Sequence, residues 1–154
     1  MSALASQYPM NPFAPTYMQG ADTSPSFEYE PRPFAYIYNP PNNELTADQQ
    51  IIGDTVSIDV DSDFLLMAWY LSEFNGEFEI QLIDSSGYQL MSGYVNSGAI
   101  SLSSSNPTVF CPAHPFPAGG RIQINIQDLS GAPNPLQIAF VGEKLFSVAA
   151  GRRR

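Results

Sequence analysis

The strongest constraint on this chain is the stretch 121–146, RIQINIQDLSGAPNPLQIAFVGEKLF. Ile122, Ile124 and Ile126 alternate with Arg121, Gln123, Asn125 and Gln127, so an extended backbone here has one apolar and one polar face. Leu136, Ile138 and Phe140 then alternate with Gln137, Ala139 and Val141, and Gly131-Ala132-Pro133-Asn134 between the halves supplies turn residues. The spacing predicts two half-buried strands joined as a β-hairpin.

The same period recurs upstream. Val56, Ile58 and Val60 alternate with Thr55, Ser57 and Asp59, and a polar turn at Asp61-Ser62-Asp63 leads into FLLMAWYL at 64–71. That run is apolar on both faces, as a central or interfacial strand requires. Asn75-Gly76 is a strong hairpin signal, and Phe78, Ile80 and Leu82 alternate with Glu77, Glu79 and Gln81 after it. A turn at Ser85-Ser86-Gly87 predicts a further strand at 88–95; the Ser, Pro, Gly and Asn-rich stretch 97–119 predicts at most one short strand near 99–102. No run of ten residues has helical periodicity, with one turn at most over 46–50. Short strands without a helix predict an all-β fold, an antiparallel β-sandwich with jelly-roll-like connectivity.

The first 48 residues read differently. They hold eight of the chain's 14 prolines, spaced so that neither a helix nor a central strand continues past them. Tyr8, Phe13, Tyr17, Phe27, Tyr29, Phe34, Tyr36 and Tyr38 punctuate the segment with rings that gain by burial. The expected division is an extended arm over 1–48, a sandwich over 49–148 and a basic tail over 149–154. Tyr8, Phe13, Tyr17, Phe27, Tyr29, Phe34 and Tyr36 are the candidate partner-binding anchors, set to lie in grooves of neighbouring subunits. An apolar 64–71 strand and such an arm together predict a homo-oligomer, a dimer or trimer.

Charge and cysteine usage exclude several classes. The formal net charge is -9, and no Lys or Arg occurs between Arg32 and Arg121, a surface that repels phosphate backbones. Arg152-Arg153-Arg154 is too small a cluster to overturn that, so no nucleic acid is expected as a partner. No disulfide within the chain is possible with Cys111 alone, which suits synthesis in a reducing cytoplasm. The first ten residues lack the cationic and apolar regions of a signal peptide, and the longest apolar run is far short of a membrane span.

Three groups of residues invite chemistry. Asp59, Asp61 and Asp63 alternate as at the start of a calcium loop, but Phe64 and Tyr70 stand where an EF-hand needs glycine and glutamate, so these carboxylates read as hairpin positions facing solvent. Cys111 and His114 are a thiol and an imidazole close in sequence, without the four ligands of a structural zinc site or a visible orienting group for catalysis. Trp69, Tyr70, Tyr88 and Tyr94 suit stacking on sugar rings, which makes a glycan-binding module for host adhesion the competing reading to core and interface packing. No phosphate-cradling loop, nucleophile elbow or dinucleotide fingerprint occurs. The expectation is a binding protein without catalytic residues, cofactor or metal.

Asp61-Ser62-Asp63-Phe64-Leu65-Leu66, the strand Phe78–Ile83, Phe116-Pro117-Ala118-Gly119-Gly120 running into 122–128, and 136–146 with Gly142 before Lys144 resemble a family of small virion structural proteins of tailed bacteriophages. The resemblance covers residues 50–146 and leaves the arm outside. It implies a β-sandwich or jelly-roll body that decorates and cements the capsid or forms a collar at the head–tail junction. Its implied partners are the major capsid protein or the portal and head–tail connector proteins, and its implied location is the virion.

Overall fold

Every three-residue apolar alternation in 121–146 and 78–83 is a strand whose apolar members point into one core. The computed structural model describes residues 28–100 and 105–148, which form two antiparallel sheets packed face to face. The strands are β1 (Glu28–Tyr38), β2 (Glu44–Leu45), β3 (Gln50–Ser57), β4 (Asp63–Phe74), β5 (Phe78–Ile83), β6 (Val95–Asn96), β7 (Thr108–Phe116), β8 (Arg121–Asp128) and β9 (Asn134–Val148). One sheet has the order β1-β9-β4-β7 with β2 also on β9, and the other has the order β3-β8-β5-β6. The described residues include two short 3-10 turns, Pro41–Asn43 and Ser97–Ala99, and no α-helix.

The pairing is nested from the ends of the chain inward: β1 with β9, β3 with β8, β4 with β7, and β5 with β6. A long antiparallel hairpin folded over on itself in this way is a jelly roll. Between the sheets lie Phe64, Leu66, Trp69 and Leu71 of β4, Phe78, Ile80 and Leu82 of β5, Ile122, Ile124 and Ile126 of β8, and Leu136, Ile138 and Phe140 of β9, none more than 1% exposed. Trp69 stacks on Phe140 with ring centroids 6.3 Å apart, and Tyr36 meets Phe64 edge to face at 4.9 Å.

None of the three expected hairpins exists as one; β3 and β4, on either side of Asp61-Ser62-Asp63, already lie in different sheets. β8 and β9 lie in different sheets, as do β4 and β5, so 129–133 and Asn75-Gly76 cross between sheets rather than turn within one. Alternation and turn residues specify a reversal but not its plane; what sets the plane here is a polar lock at the end of the sandwich. Asn134 Oδ1 accepts from the Asn75 N–H at 2.9 Å, while its Nδ2 donates to the Gly76 carbonyl at 3.0 Å and to Asp128 at 3.2 Å. Asp128 also accepts from the Asp48 N–H at 3.1 Å and the Ser130 hydroxyl at 2.8 Å. Both residues are 1% exposed, so three loops from distant parts of the chain are held by one buried cluster.

Two strands were hidden by proline. β1 carries Pro31 and Pro33, and β7 carries Pro112 and Pro115, yet both are edges of their sheet, where a missing N–H breaks no ladder. The sandwich therefore begins at Glu28 and takes in Tyr36, Tyr38 and Leu45, residues that the sequence division assigned to the arm. The expected strand at 88–95 shrinks to β6. An isolated bridge from Gln89 to Ile83 precedes it, because Asp84 accepts from the N–H groups of Ser86 and Tyr88 and curls the chain, leaving Leu90 and Met91 to pack on the core from a loop. The possible strand at 99–102 falls partly outside the described residues.

Two expected outcomes follow. A Cβ on Gly142 would sit 1.9 Å from the Leu65 carbonyl oxygen at the bulge between β4 and β9, so Gly142→Ala will lower stability by about 1–3 kcal/mol in urea unfolding. Burial alone would raise the pKa of Asp128, but hydrogen bonds from Ser130, the Asp48 N–H and Asn134 outweigh it and hold the carboxyl below the usual carboxylate range. A folded pKa below the unfolded one means stability that is present above about pH 4 and lost as pH falls through the folded value. Asp128→Asn will cost about 2 kcal/mol at pH 7 and make the acid limb of the stability profile shallower than in the wild type; an unchanged profile would remove Asp128 from the lock.

Candidate functional site

The two sheets differ in what they show to the outside. On the β3-β8-β5-β6 sheet the outward rows are polar: Gln50, Gln127 and Glu79; Asn125 and Gln81; Thr55, Gln123 and Ile83; Ser57 and Arg121. On the β1-β9-β4-β7 sheet, Ala35, Val141, Ala68 and Val109 form one row across all four strands, and Ile37, Ala139 and Tyr70 the next. Val109 is 66% exposed, Tyr29 48%, Ile37 47% and Met67 43%. A sheet with one face on the core would ordinarily turn a polar face to water; this outer face is largely apolar, with Glu143 in the row of Pro33, Leu65 and Pro115 as a charge on its central strand, and it has no covering layer among the described residues. The sequence had signalled it in part: 64–71 is apolar on both sides because β4 is central and has the core on one side and this face on the other.

Where the chain enters β1, the face dips into an open groove of about 430 Å³ lined by Tyr29, Asp63, Pro115, Phe116, Pro117 and Leu145. Tyr29 pairs in register with Ser147, and Asp63 with Leu145, so four chain segments meet at this lip. The edges flanking the face are closed to another strand, since Pro31 and Pro33 on one side and Pro112 and Pro115 on the other cannot donate to it. Association through this sheet is therefore left to its face.

Beneath the same end lies a charged cluster on the inner side. Lys144 Nζ pairs with Asp59 at 2.5 Å and with Asp61 at 3.5 Å, and sits 4.5 Å from the centre of the Phe34 ring. The Tyr36 hydroxyl donates to Asp59 at 3.2 Å and accepts from the Asp59 N–H at 3.0 Å. The hydrogen bond from Lys144 holds the Asp59 carboxyl below its usual range, and the same bond raises the Lys144 pKa. Burial pushes the Tyr36 phenol up, against the lowering effects of the Asp59 N–H and Lys144. This cluster ties the β3–β4 turn to β1 and β9, and so braces the end of the sandwich at which the arm leaves.

Of the expected anchors, Tyr8, Phe13, Tyr17 and Phe27 lie outside the described residues. Tyr29 lines the groove on the outer face. Phe34 is 39% exposed but already packs on Tyr36 and Lys144, and Tyr36, 8% exposed, belongs to its own core rather than to a neighbour's groove. Trp69 is 1% exposed and is closed to any sugar ring, Tyr70 lies on the outer sheet face, and Tyr88 and Tyr94 are exposed. His114 Nε2 is 3.2 Å from Asp84 Oδ2, with its ring stacked under Tyr88 and against Phe116, while Cys111 is exposed and shares no hydrogen bond with it. The thiol and imidazole are not brought together. Sequence reasoning missed the pairing of His114 with Asp84, which β7 and the loop after β5 bring together across 30 residues; the outer face it saw only as the run 64–71.

The chain matches no family model, no curated protein and no solved structure. Its function is to be read from its own surfaces.

The alternating carboxylates each have a protein partner: Asp59 and Asp61 share Lys144, and Asp63 accepts from the Ala118 N–H at 2.9 Å. Among the described residues no group of three His, Cys, Asp or Glu side chains is placed to hold a metal ion. An ammonium fills the position between Asp59 and Asp61 that a cation would take. Treatment with EDTA will therefore leave the melting temperature unchanged; a fall of several degrees, reversed by Ca²⁺, would show an ion bound there.

Proposed function

We propose that this chain is a non-enzymatic structural subunit of a tailed bacteriophage virion, decorating and cementing the capsid or forming the collar at the head–tail junction. The observation that carries the reading is the apolar outer face of the β1-β9-β4-β7 sheet, bounded by proline-bearing edges. Such a face is costly in a freestanding protein, at about 25 cal/mol for each Å² left in water, and it suits a subunit that is covered on assembly. Support also comes from the arm, whose prolines and aromatic rings immediately precede β1 in the sequence, and from the resemblance carried by residues 50–146. The partners of this reading are the major capsid protein, or the portal and head–tail connector proteins, together with further copies of the chain; the setting is the virion, and the arm clamps neighbouring subunits.

Glycan binding keeps one observation in its favour. The Tyr88 ring is 63% exposed, stacks on His114 at 5.9 Å, and stands beside the Asp84 carboxylate. An aromatic platform beside an acceptor is what a sugar ring needs, although here it is a single ring.

Density-gradient purification of virions from infected cells, followed by mass spectrometry, separates the readings. The expected result is that the chain co-migrates with intact particles in many copies, and that a version lacking residues 1–27 does so with lower occupancy or leaves particles that release their DNA at lower temperature. A chain found only in the soluble fraction, with binding to a glycan array that Tyr88→Ala abolishes, would replace this function with the second.

A further inference from the structure

We propose that the outer face of the β1-β9-β4-β7 sheet is the seat of the N-terminal segment of a second copy of this chain, with residues 8–17 lying across it. This deepens the assembly reading by naming what covers the face, and it rests on that reading only for its biological setting.

The segment matches the face chemically. The only charged side chain in residues 1–27 is Asp22, and Tyr8, Phe13 and Tyr17 are interleaved with Pro9, Pro12 and Pro15. Three prolines in ten residues restrict the backbone, so an uncharged segment of this composition loses less freedom on binding than a proline-free one and carries rings at intervals, as a groove-binding strand does. The groove it would meet, between Tyr29, Leu145 and Pro115, is itself lined with rings and prolines.

The segment also has the reach. Twenty-seven residues extend to roughly 90 Å at about 3.3 Å each, whereas four strands about 4.8 Å apart make a face of some 15–20 Å. The segment joins the sandwich at Glu28, opposite Val148 and at the corner of the face. That length is enough to carry it past the corner of its own sheet and onto the face of a second copy.

Other occupants fit the face less well. Face-to-face pairing of two such sheets would bury Glu143, which shares the row of Pro33, Leu65 and Pro115, together with Asp63 and their symmetry mates. The face carries no Lys or Arg among its described residues to pair them, because Arg32 and Lys144 are on the inner side with Glu30 and Asp59. Strand addition at the edges is blocked by Pro31, Pro33, Pro112 and Pro115. An extended segment is narrower than a sheet: laid along the row of Ala35, Val141, Ala68 and Val109, it leaves Glu143 in the neighbouring row and Asp63 at the corner open to water.

The test uses the purified full-length chain, apart from any particle. Sedimentation velocity is expected to give a closed oligomer for the full chain and a folded monomer for residues 28–154, with a synthetic peptide of residues 1–27 binding to the truncated protein. Val141→Glu on the receiving face is expected to weaken that peptide at least tenfold while the melting curve stays cooperative. Phe13→Ser/Tyr17→Ser, which alters only the arm, is expected to dissociate the full-length oligomer, so a misfolded Val141 variant cannot hide the answer. A photo-crosslinker at position 13, in a mixture of isotope-labelled and unlabelled chains, should join to Met67, Tyr70 or Leu145 of the other copy. A monomeric full-length chain, an oligomer that survives loss of residues 1–27, or crosslinks confined to one copy or to the β3-β8-β5-β6 sheet would overturn the proposal. Absence from virions would overturn the assembly function and leave this contact standing.

Discussion

The buried pair Asp128 and Asn134 is the constraint on which the rest of the structure depends. These two side chains bind the backbone or side chains of Asp48, Asn75, Gly76 and Ser130, and so pin the loop before β3, the β4–β5 crossing and the β8–β9 crossing at one end of the sandwich. Isolated in an apolar interior each would be expensive; fully paired, they specify which sheet each strand enters. The nested pairing of β1 with β9 and β3 with β8 needs the crossings in place, since strands brought together across 64 residues or more have no local turn to set their register. At the opposite end Lys144, Asp59 and Tyr36 do comparable work with an ion pair and a ring in place of buried amides.

With both ends fixed, the sandwich has two unlike outer surfaces. One sheet shows glutamine, asparagine, threonine and serine to solvent, and the other shows mainly alanine, valine, isoleucine and tyrosine around Glu143. Proline at both edges of the apolar sheet suppresses the pairing of strands between copies that would lead to open-ended aggregation. A closed edge and an open face together would restrict association to one geometry. That is the physical content of the assembly reading, and it explains why a protein with net charge -9 keeps a broad apolar surface: repulsion between copies limits non-specific contact, and only a partner that fits the face covers it.

Much of the fold was legible in the sequence, in a particular way. Period-2 patterns at Ile122, Ile124 and Ile126 and at Phe78, Ile80 and Leu82 identified the inward faces, because burial on one side of a strand leaves a direct trace in residue type; the alternation of Val56, Ile58 and Val60 did not hold to its end, since β3 stops at Ser57 and Val60 is 86% exposed. Pairing was not legible. Asn75-Gly76 and 131–134 have the residues of a hairpin, but whether a reversal stays in its sheet depends on Asn134 meeting Asn75 across 59 positions, which no local pattern records. Edge strands were missed for the converse reason: Pro31, Pro33, Pro112 and Pro115 argue against a central strand, and an edge is where they are tolerated. Of the candidate site, the doubly apolar run 64–71 pointed to the outer face, while the contribution of Tyr29 and Leu145 needed β1 and β9 to be laid side by side. Tyr36 looked like an arm residue because its neighbours are prolines, and it is a core residue because β1 bends the arm's last third into the sheet.

The central claim is that the apolar sheet face is covered in the functional state by the chain's own N-terminal segment. Hydroxyl-radical footprinting read by mass spectrometry tests it most directly, by comparing oxidation of Tyr29, Met67 and Tyr70 in the full-length chain and in residues 28–154, with the solvent-facing Tyr88 as an internal reference. The account predicts that the three face residues are protected in the full-length chain and become reactive on truncation, while Tyr88 labels equally in both. Equal labelling of the face residues in the two proteins would contradict it.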